Sequence, residues 1–95
     1  MPRRLFTVAD TFLIEGRGLV LIPGIVPEGN EIFRAGDPLL LKRPDGSELG
    51  TVICGLEFMT PNPRHDVVVR LKRLTKIDVP IGTEVWSVAV VPSQG

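Results

Sequence analysis

Two basic segments of the chain carry the residues whose types and spacing are suited to chemistry. The first is Gly16-Arg17-Gly18, in which an arginine stands between two glycines just before an apolar run. The second runs from Arg70 to Lys76 and is the densest basic stretch of the sequence. Guanidinium groups bind phosphates and carboxylates through two parallel hydrogen bonds. Each segment therefore has two interpretations, an anion-binding site or a purely structural role.

The Gly-Arg-Gly segment lacks the features of a phosphate loop. No Gly-x-x-x-x-Gly-Lys-Ser/Thr pattern is present, and a strand is predicted where a phosphate loop needs a helix N-terminus. In one interpretation, Gly16 and Gly18 permit a tight or bulged turn and Arg17 points to solvent. In the other, the same turn presents Arg17 to a phosphate or carboxylate. The sequence leaves both interpretations open.

The second segment also has two interpretations. Arg70 and Lys72 alternate with Leu71 and so share one face of a predicted strand, with Arg73 and Lys76 close behind. These side chains form either a cationic strip for a nucleic-acid backbone or a solvated strand face that discourages pairing with other sheets.

Residues for catalysis or metal binding are scarce. The chain has one histidine, His65, and one cysteine, Cys54, which provide no ligand spacing for zinc. His65 and Asp66 are neighbours whose side chains leave a strand on opposite faces, which argues against a catalytic pair. We therefore predict no catalytic residues, no metal and no cofactor. An enzyme that uses His65 and Asp66 is the third of three functional hypotheses.

Length and composition predict a single domain that spans residues 1–95, with a frayed tail at 92–95. Lysine and arginine balance aspartate and glutamate at eleven each, so nucleic-acid binding would need a local patch. The lone cysteine fits a reducing compartment, and no segment approaches the roughly 20 apolar residues of a membrane span. We expect a cytoplasmic protein with no membrane partner.

Ten glycines and nine prolines divide the apolar runs into short segments, which is typical of an all-β fold. The clearest hairpin signal is Pro44-Asp45-Gly46-Ser47. Alternation in the returning strand places Val52, Cys54, Leu56 and Phe58 on its core face. Strands are predicted at residues 5–9, 12–15, 18–22, 25–26, 39–42, 48–58, 66–72, 75–77 and 85–91.

Short strands in so small a chain expose sheet edges unless the sheet closes on itself. We therefore expect a closed barrel with a packed interior, in which the aromatic residues, Phe12 among them, mostly occupy core positions.

The order of several weak motifs is more specific than any one of them. The segments 8–20, 24–29 and 32–37 follow one another as an acidic-x-Phe-x-Ile-x-Gly-Arg-Gly stretch, a glycine-bounded hairpin and a Gly-Asp turn. Residues 54–58, 68–72 and 77–85 continue the pattern. Together they resemble the second domain of elongation factor Tu and related translational GTPases, over about residues 6–88.

The resemblance implies a closed six-stranded Greek-key β-barrel of the translation-protein type. In that family the domain helps to hold the aminoacylated 3′ end of transfer RNA, or contacts ribosomal RNA or the GTPase domain. No Walker A sequence occurs in the chain, so we expect no GTP binding. The resemblance implies binding positions at Asp10, Phe12, Ile14, Arg17, Glu57 and Asp66.

The leading hypothesis is a non-enzymatic binding module that contacts transfer or ribosomal RNA through Arg17, Arg70, Lys72 and Arg73. The alternative is a protein–protein interaction module, for example a mimic of a translation factor or an adaptor to one. Its interface would use the apolar strip from Leu19 to Leu21 or the loop at 60–65.

Overall fold

The computed structural model describes residues 2–57 and 66–88, and its regular elements are eight β-strands joined by turns and loops. No helix in these residues is long and apolar enough to cross a membrane. The strands are β1 (Arg4–Thr7), β2 (Asp10–Ile14), β3 (Gly18–Ile25), β4 (Pro38–Lys42), β5 (Glu48–Val52), β6 (Gly55–Glu57), β7 (Val67–Leu71) and β8 (Glu84–Ser87).

The strands form two antiparallel sheets of four. The first sheet has the order β1-β8-β4-β5 and the second has the order β2-β3-β7-β6. Both sheets contribute side chains to one hydrophobic core, because alternate residues of each strand point to the same side. The fully buried core positions include Leu39, Leu41 and Val85 from the first sheet and Leu19, Leu21, Ile25, Val69 and Leu71 from the second.

The all-β class is as predicted, but the closed six-stranded barrel is wrong. The chain passes from the first sheet to the second at two corners, residues 8–9 and residues 53–54. At the first corner, the Val8 amide donates to Thr83 in the first sheet's loop region and the next amide, of Ala9, donates to Ile22 of β3. Consecutive amides at this corner therefore bond to different sheets, and the strands divide into two four-stranded sheets, neither of which is closed.

A closed barrel was expected because open sheets expose their edge strands. In the structure the edge strands are present but short. The four edge strands β1, β5, β2 and β6 are only 4, 5, 5 and 3 residues long. Short edge strands give another chain little length to pair with, so the aggregation hazard is reduced without a barrel.

The strand predicted at 48–58 breaks, and its predicted alternation is wrong at Val52 and Cys54, while Leu56 packs against the core as predicted. The Ile53 amide donates to Asp37 and the Cys54 amide donates to Arg70, so consecutive residues bond to different sheets. Ile53 is consequently buried, whereas Val52 is 51% exposed and Cys54 is only half-buried. Phe58 lies outside the described residues.

Two other strand predictions change. Residues 75–77 form a turn, because the Asp78 carboxylate accepts hydrogen bonds from the Thr75 amide and hydroxyl. Residues 18–22 and 25–26 belong largely to one strand, β3, whose pairing with β7 is irregular between Leu21 and Ile25. Of the strand predicted at 85–91, residues 85–87 belong to β8, residue 88 follows the strand, and residues 89–91 lie outside the described residues. The predicted frayed tail at 92–95 and loop at 60–65 also lie outside them.

The Pro44–Ser47 hairpin is confirmed between β4 and β5. Gly46 has a φ of 90°, and the Asp45 carboxylate accepts hydrogen bonds from the Ser47 amide and hydroxyl. These contacts are local to the four-residue signal, which explains why the sequence predicts them.

Candidate binding face

The Gly-Arg-Gly segment forms the turn between β2 and β3, as predicted. The Arg17 amide donates to the Ile14 carbonyl over 2.9 Å, and Gly16 has a φ of 79° at the third position of this turn. Gly18 has a φ of 130°, and a Cβ at this position would overlap the Leu71 carbonyl. Both glycines are therefore required by the backbone, and the Arg17 side chain between them is exposed.

The face of the second sheet that points away from the core collects most of the predicted binding residues. In the strand register Phe12 lies opposite Val20, Val20 opposite Arg70, and Arg70 opposite Gly55. One row of residues therefore crosses all four strands. The core residues Leu19 and Leu71 lie on the other side of the sheet, because side chains alternate along each strand.

Other predicted residues join the same face. Asp10 and Ile14 flank Phe12 two positions away on β2, and Glu57 lies opposite Val68 on the neighbouring strands β6 and β7. Asp66 immediately precedes β7. We call this side of the sheet the site face and define it as Asp10, Phe12, Ile14, Val20, Gly55, Glu57, Val68 and Arg70. Its exposed members lie on β2, whereas Val20, Gly55 and Val68 are buried.

Arg70 is held at the centre of the site face by contacts within the protein. Its Nε donates to Glu57 Oε1 over 2.8 Å, and its Nη1 donates to the Arg17 carbonyl oxygen over 2.9 Å. The same Nη1 lies 3.7 Å from Cys54 Sγ. A Cβ at Gly55 would overlap the guanidinium, so the absence of a side chain there makes room for it. Arg70 and Glu57 are thus brought together as an ion pair.

The other predicted cations surround a pocket of about 430 Å³ at the end of the second sheet. Residues 13–18 and 72–75 line it, so it lies between the Gly-Arg-Gly turn and the segment that follows β7. Arg17, Lys72 and Arg73 contribute three positive charges to the lining, and Glu15 contributes one negative charge. These three basic side chains are exposed and make no ion pair with another residue in 2–57 or 66–88.

Arg73 has an unusual backbone conformation. Its φ is 62°, in the left-handed region that non-glycine residues rarely occupy. This conformation costs roughly 1–2 kcal/mol for a residue with a Cβ. Backbone strain of this kind is concentrated at functional sites, where the position of a side chain matters more than stability.

The sequence analysis missed the exposed apolar side chains next to this pocket. Phe12 is 49% exposed and Leu13 is 56% exposed, so the expectation that Phe12 occupies a core position is wrong. Lys76 Nζ lies 5.9 Å from the centre of the Phe12 ring. No signal in the β2 sequence indicated this, because alternation favours the apolar Phe12 and Ile14 for the core, whereas the structure buries Thr11 and turns Phe12 to the other face.

Of the remaining candidate positions, one is wrong and one lies outside the described residues. Leu19 and Leu21 are fully buried, so the apolar strip proposed as a protein interface is wrong. His65 lies outside the described residues. Within residues 2–57 and 66–88, no group of three or more histidine, cysteine, aspartate or glutamate side chains has the arrangement to hold a metal ion.

Comparison with protein-family models, with curated proteins and with solved structures finds no significant match to this chain. The resemblance to the second domain of elongation factor Tu therefore stays a prediction from the sequence motifs.

Proposed function

We propose that this chain is a non-enzymatic binding module that contacts RNA through the cationic pocket and the exposed side chain of Phe12 on the site face. The observation that carries the proposal is that cations distant in the sequence lie around one pocket. Arg17 and the pair Lys72 and Arg73 are more than 50 positions apart in the sequence, yet they line one pocket and make no ion pair with a described residue. Unpaired cations grouped around a concave surface favour a polyanionic ligand.

The apolar residues beside the pocket complement these charges. An RNA backbone offers phosphates to the three cations, while exposed side chains such as Phe12 offer a surface on which an unpaired base stacks. Lys76 adds a fourth positive charge close to the Phe12 ring. The zero net charge of the chain is compatible with RNA binding. Salt screens distant charges, so a phosphate interacts mainly with the charged side chains near it.

The motif resemblance favours transfer RNA or ribosomal RNA as the natural ligand. The proposal needs no cofactor and no GTP, and it places the module in the cytoplasm on the basis of its single cysteine, Cys54.

A titration of labelled RNA over a range of salt concentrations tests the proposal. Transfer RNA, a ribosomal RNA fragment and an unstructured oligonucleotide are the probes. We expect the logarithm of the affinity to fall linearly with the logarithm of the salt concentration, with a slope of about 2 if three cations contact phosphates of a single strand. Replacement of Arg17 or Lys72 by alanine should each lower that slope by about 0.7.

Arg34 provides the matched control, because it is an exposed arginine in the loop between β3 and β4, away from the residues that line the pocket. Arg34→Ala should leave both the affinity and the slope unchanged. Absence of binding to all three probes at low salt, or equal effects of the Arg17 and Arg34 variants, would contradict the proposal.

A second candidate function, a protein-interaction module of the translation apparatus, is favoured by one observation. Phe12 and Leu13 expose about half of their surface on β2, which is an edge strand of its sheet. Exposed apolar residues on an edge strand are a common element of protein interfaces.

Affinity purification from ribonuclease-treated lysate, with wild type and Leu13→Asp as baits, separates the two functions. A stoichiometric translation protein that is retained by wild type and lost by the variant would favour the protein interface. A partner that disappears after ribonuclease treatment would favour RNA.

A further inference from the structure

We propose that Arg70 is a positioning residue that holds the Gly-Arg-Gly turn, and through it Arg17, without itself contacting RNA. This inference rests on the proposed function and concerns the same site. It assigns Arg70 a role different from that of the exposed cations Arg17, Lys72 and Arg73.

The guanidinium of Arg70 joins two distant parts of the second sheet. Nε bonds to Glu57 on the edge strand β6, and Nη1 bonds to the Arg17 carbonyl in the turn between β2 and β3. These partners are 13 and 53 positions away in the sequence. A planar guanidinium suits this task, because its donors point in fixed and different directions.

The surroundings of the guanidinium favour a structural bond. The side chains of Arg70 and Glu57 are only 21% and 29% exposed. Partial exclusion of water strengthens the hydrogen bonds that they make. The charge of Arg70 is balanced by Glu57, and Nε and Nη1 already donate to the protein, so a two-pronged bond to an incoming phosphate would have to replace one of these contacts or use Nη2 alone.

The same bond completes the hydrogen bonding of the Arg17 backbone. The Arg17 amide donates to Ile14 and its carbonyl accepts from Arg70, so both polar groups of this peptide segment are fixed. The Arg17 side chain is exposed and has no ion-pair partner among the residues that the structure describes. A turn that is ordered before binding has less conformational entropy to lose when it binds a ligand.

Amide hydrogen exchange of the free protein tests the positioning role without RNA. Arg70→Met should accelerate exchange of the Arg17 amide by about tenfold, because local opening of the turn becomes easier. The amides of the core residues Leu21 and Val69 should exchange at the same rate as in the wild type. Arg34→Met is the matched control for loss of an arginine charge. An unchanged Arg17 amide in Arg70→Met would overturn the proposal.

Affinity measured in two backgrounds separates positioning from direct contact. Arg70→Met should weaken RNA binding by about three- to tenfold in the wild-type background and by less than about twofold in an Arg17→Ala background, since the two residues act through one contact. The salt slope should not change on Arg70→Met. A fall of about 0.7 in the slope, or fully additive effects, would identify Arg70 as a phosphate contact and overturn the proposal.

Arg70→Lys keeps the positive charge but replaces the planar fork with a single ammonium. Because one nitrogen does not span both Glu57 and the Arg17 carbonyl, we expect this variant to resemble Arg70→Met in both experiments. Full rescue by lysine would show that charge alone matters and would overturn the proposal. If the wild-type chain binds none of the RNA probes, the proposed function fails, and the exchange experiment still decides whether Arg70 holds the turn.

Discussion

On the first sheet, charged side chains of β1, β4 and β8 each contact a side chain of a neighbouring strand, whereas the end of the second sheet leaves three cations without an ion-pair partner among the described residues. On the first sheet, Arg4 lies 3.8 Å from Glu84, and Lys42 stands 4.1 Å from the centre of the Trp86 ring. The Trp86 indole in turn donates to Glu84 over 2.9 Å. At the second sheet Arg17, Lys72 and Arg73 line a pocket that contains one carboxylate.

This difference explains how a chain with no net charge presents a basic surface. Three carboxylates near the first sheet are paired with cations of the protein: Glu28 and Glu31 contact Arg3, and Glu84 contacts Arg4. The positive charge around the pocket is therefore not cancelled locally. An external anion consequently meets an unbalanced potential at the second sheet, although the total charge is zero.

The two sheets should differ most in the unfolding free energy that is lost when a hairpin glycine is replaced by alanine. Gly18→Ala places a Cβ against the Leu71 carbonyl and forces alanine into a positive φ, so unfolding free energy should fall by about 3 kcal/mol. Gly46→Ala in the hairpin of the first sheet has a similar φ requirement but open space around the new Cβ, so about 1 kcal/mol is expected. Urea denaturation measures the free energy of unfolding of both variants. Equal losses would contradict the close approach of β3 and β7.

The strand glycines give the next largest difference. Gly55→Ala displaces the Arg70 guanidinium and breaks its bond to Glu57, for which we expect a loss of about 1–2 kcal/mol. Gly50 on β5 of the first sheet has open space where a methyl group would lie, with no neighbouring atom within 4 Å, so Gly50→Ala should change stability by no more than about 0.5 kcal/mol. Denaturation curves again provide the measurement, and a neutral Gly55→Ala would show that the Arg70 contacts contribute little.

Arg73→Gly should change stability and RNA binding in opposite directions. Glycine relieves roughly 1–2 kcal/mol of left-handed strain and loses roughly 0.5–1 kcal/mol to its greater freedom in the unfolded chain, so a net gain of about 0.5 kcal/mol is expected. Loss of the side chain should lower the RNA salt slope by about 0.7. Lys72→Gly is the control, since Lys72 has no positive φ. This variant should lower both the free energy of unfolding and the salt slope of RNA binding.

The smallest expected effect concerns acid stability near the first sheet. The hydrogen bond from Arg3, together with the Glu28 amide, lowers the pKa of Glu31 from its ordinary 4.5 to about 2. A lowered folded-state pKa stabilises the fold above pH 4.5, and this contribution is lost as the pH falls from 4.5 towards 2. Glu31→Gln should therefore flatten the pH dependence of urea unfolding in this range, and an unchanged pH dependence would contradict the contribution of this carboxylate.

Local signals in the sequence were sufficient for both hairpin turns. Pro44-Asp45-Gly46-Ser47 and Gly16-Arg17-Gly18 form the predicted turns, because a turn depends on residues within a few positions of each other. The all-β class follows from the same kind of information, since glycine and proline divide the apolar runs at short intervals.

The break at residues 53–54 was not accessible from the sequence. The run 48–58 alternates plausibly throughout, and only bonds to Asp37 and Arg70 decide that Ile53 turns inward and that the chain changes sheets. Those partners are remote in the sequence, so periodicity alone carries no information about them. The barrel expectation was wrong for the same reason.

The sequence by itself determined which residues carry charge, the all-β class and the two glycine-containing hairpin turns, because these properties depend on side-chain type and short-range backbone preference. The tertiary structure decided which cations remain available. Arg70 and Arg17 have the same side chain, yet one bonds to Glu57 and to a distant carbonyl while the other is exposed at a pocket. Their difference arises from strand order and register, which place Gly55 opposite Arg70 and a glycine-flanked turn around Arg17.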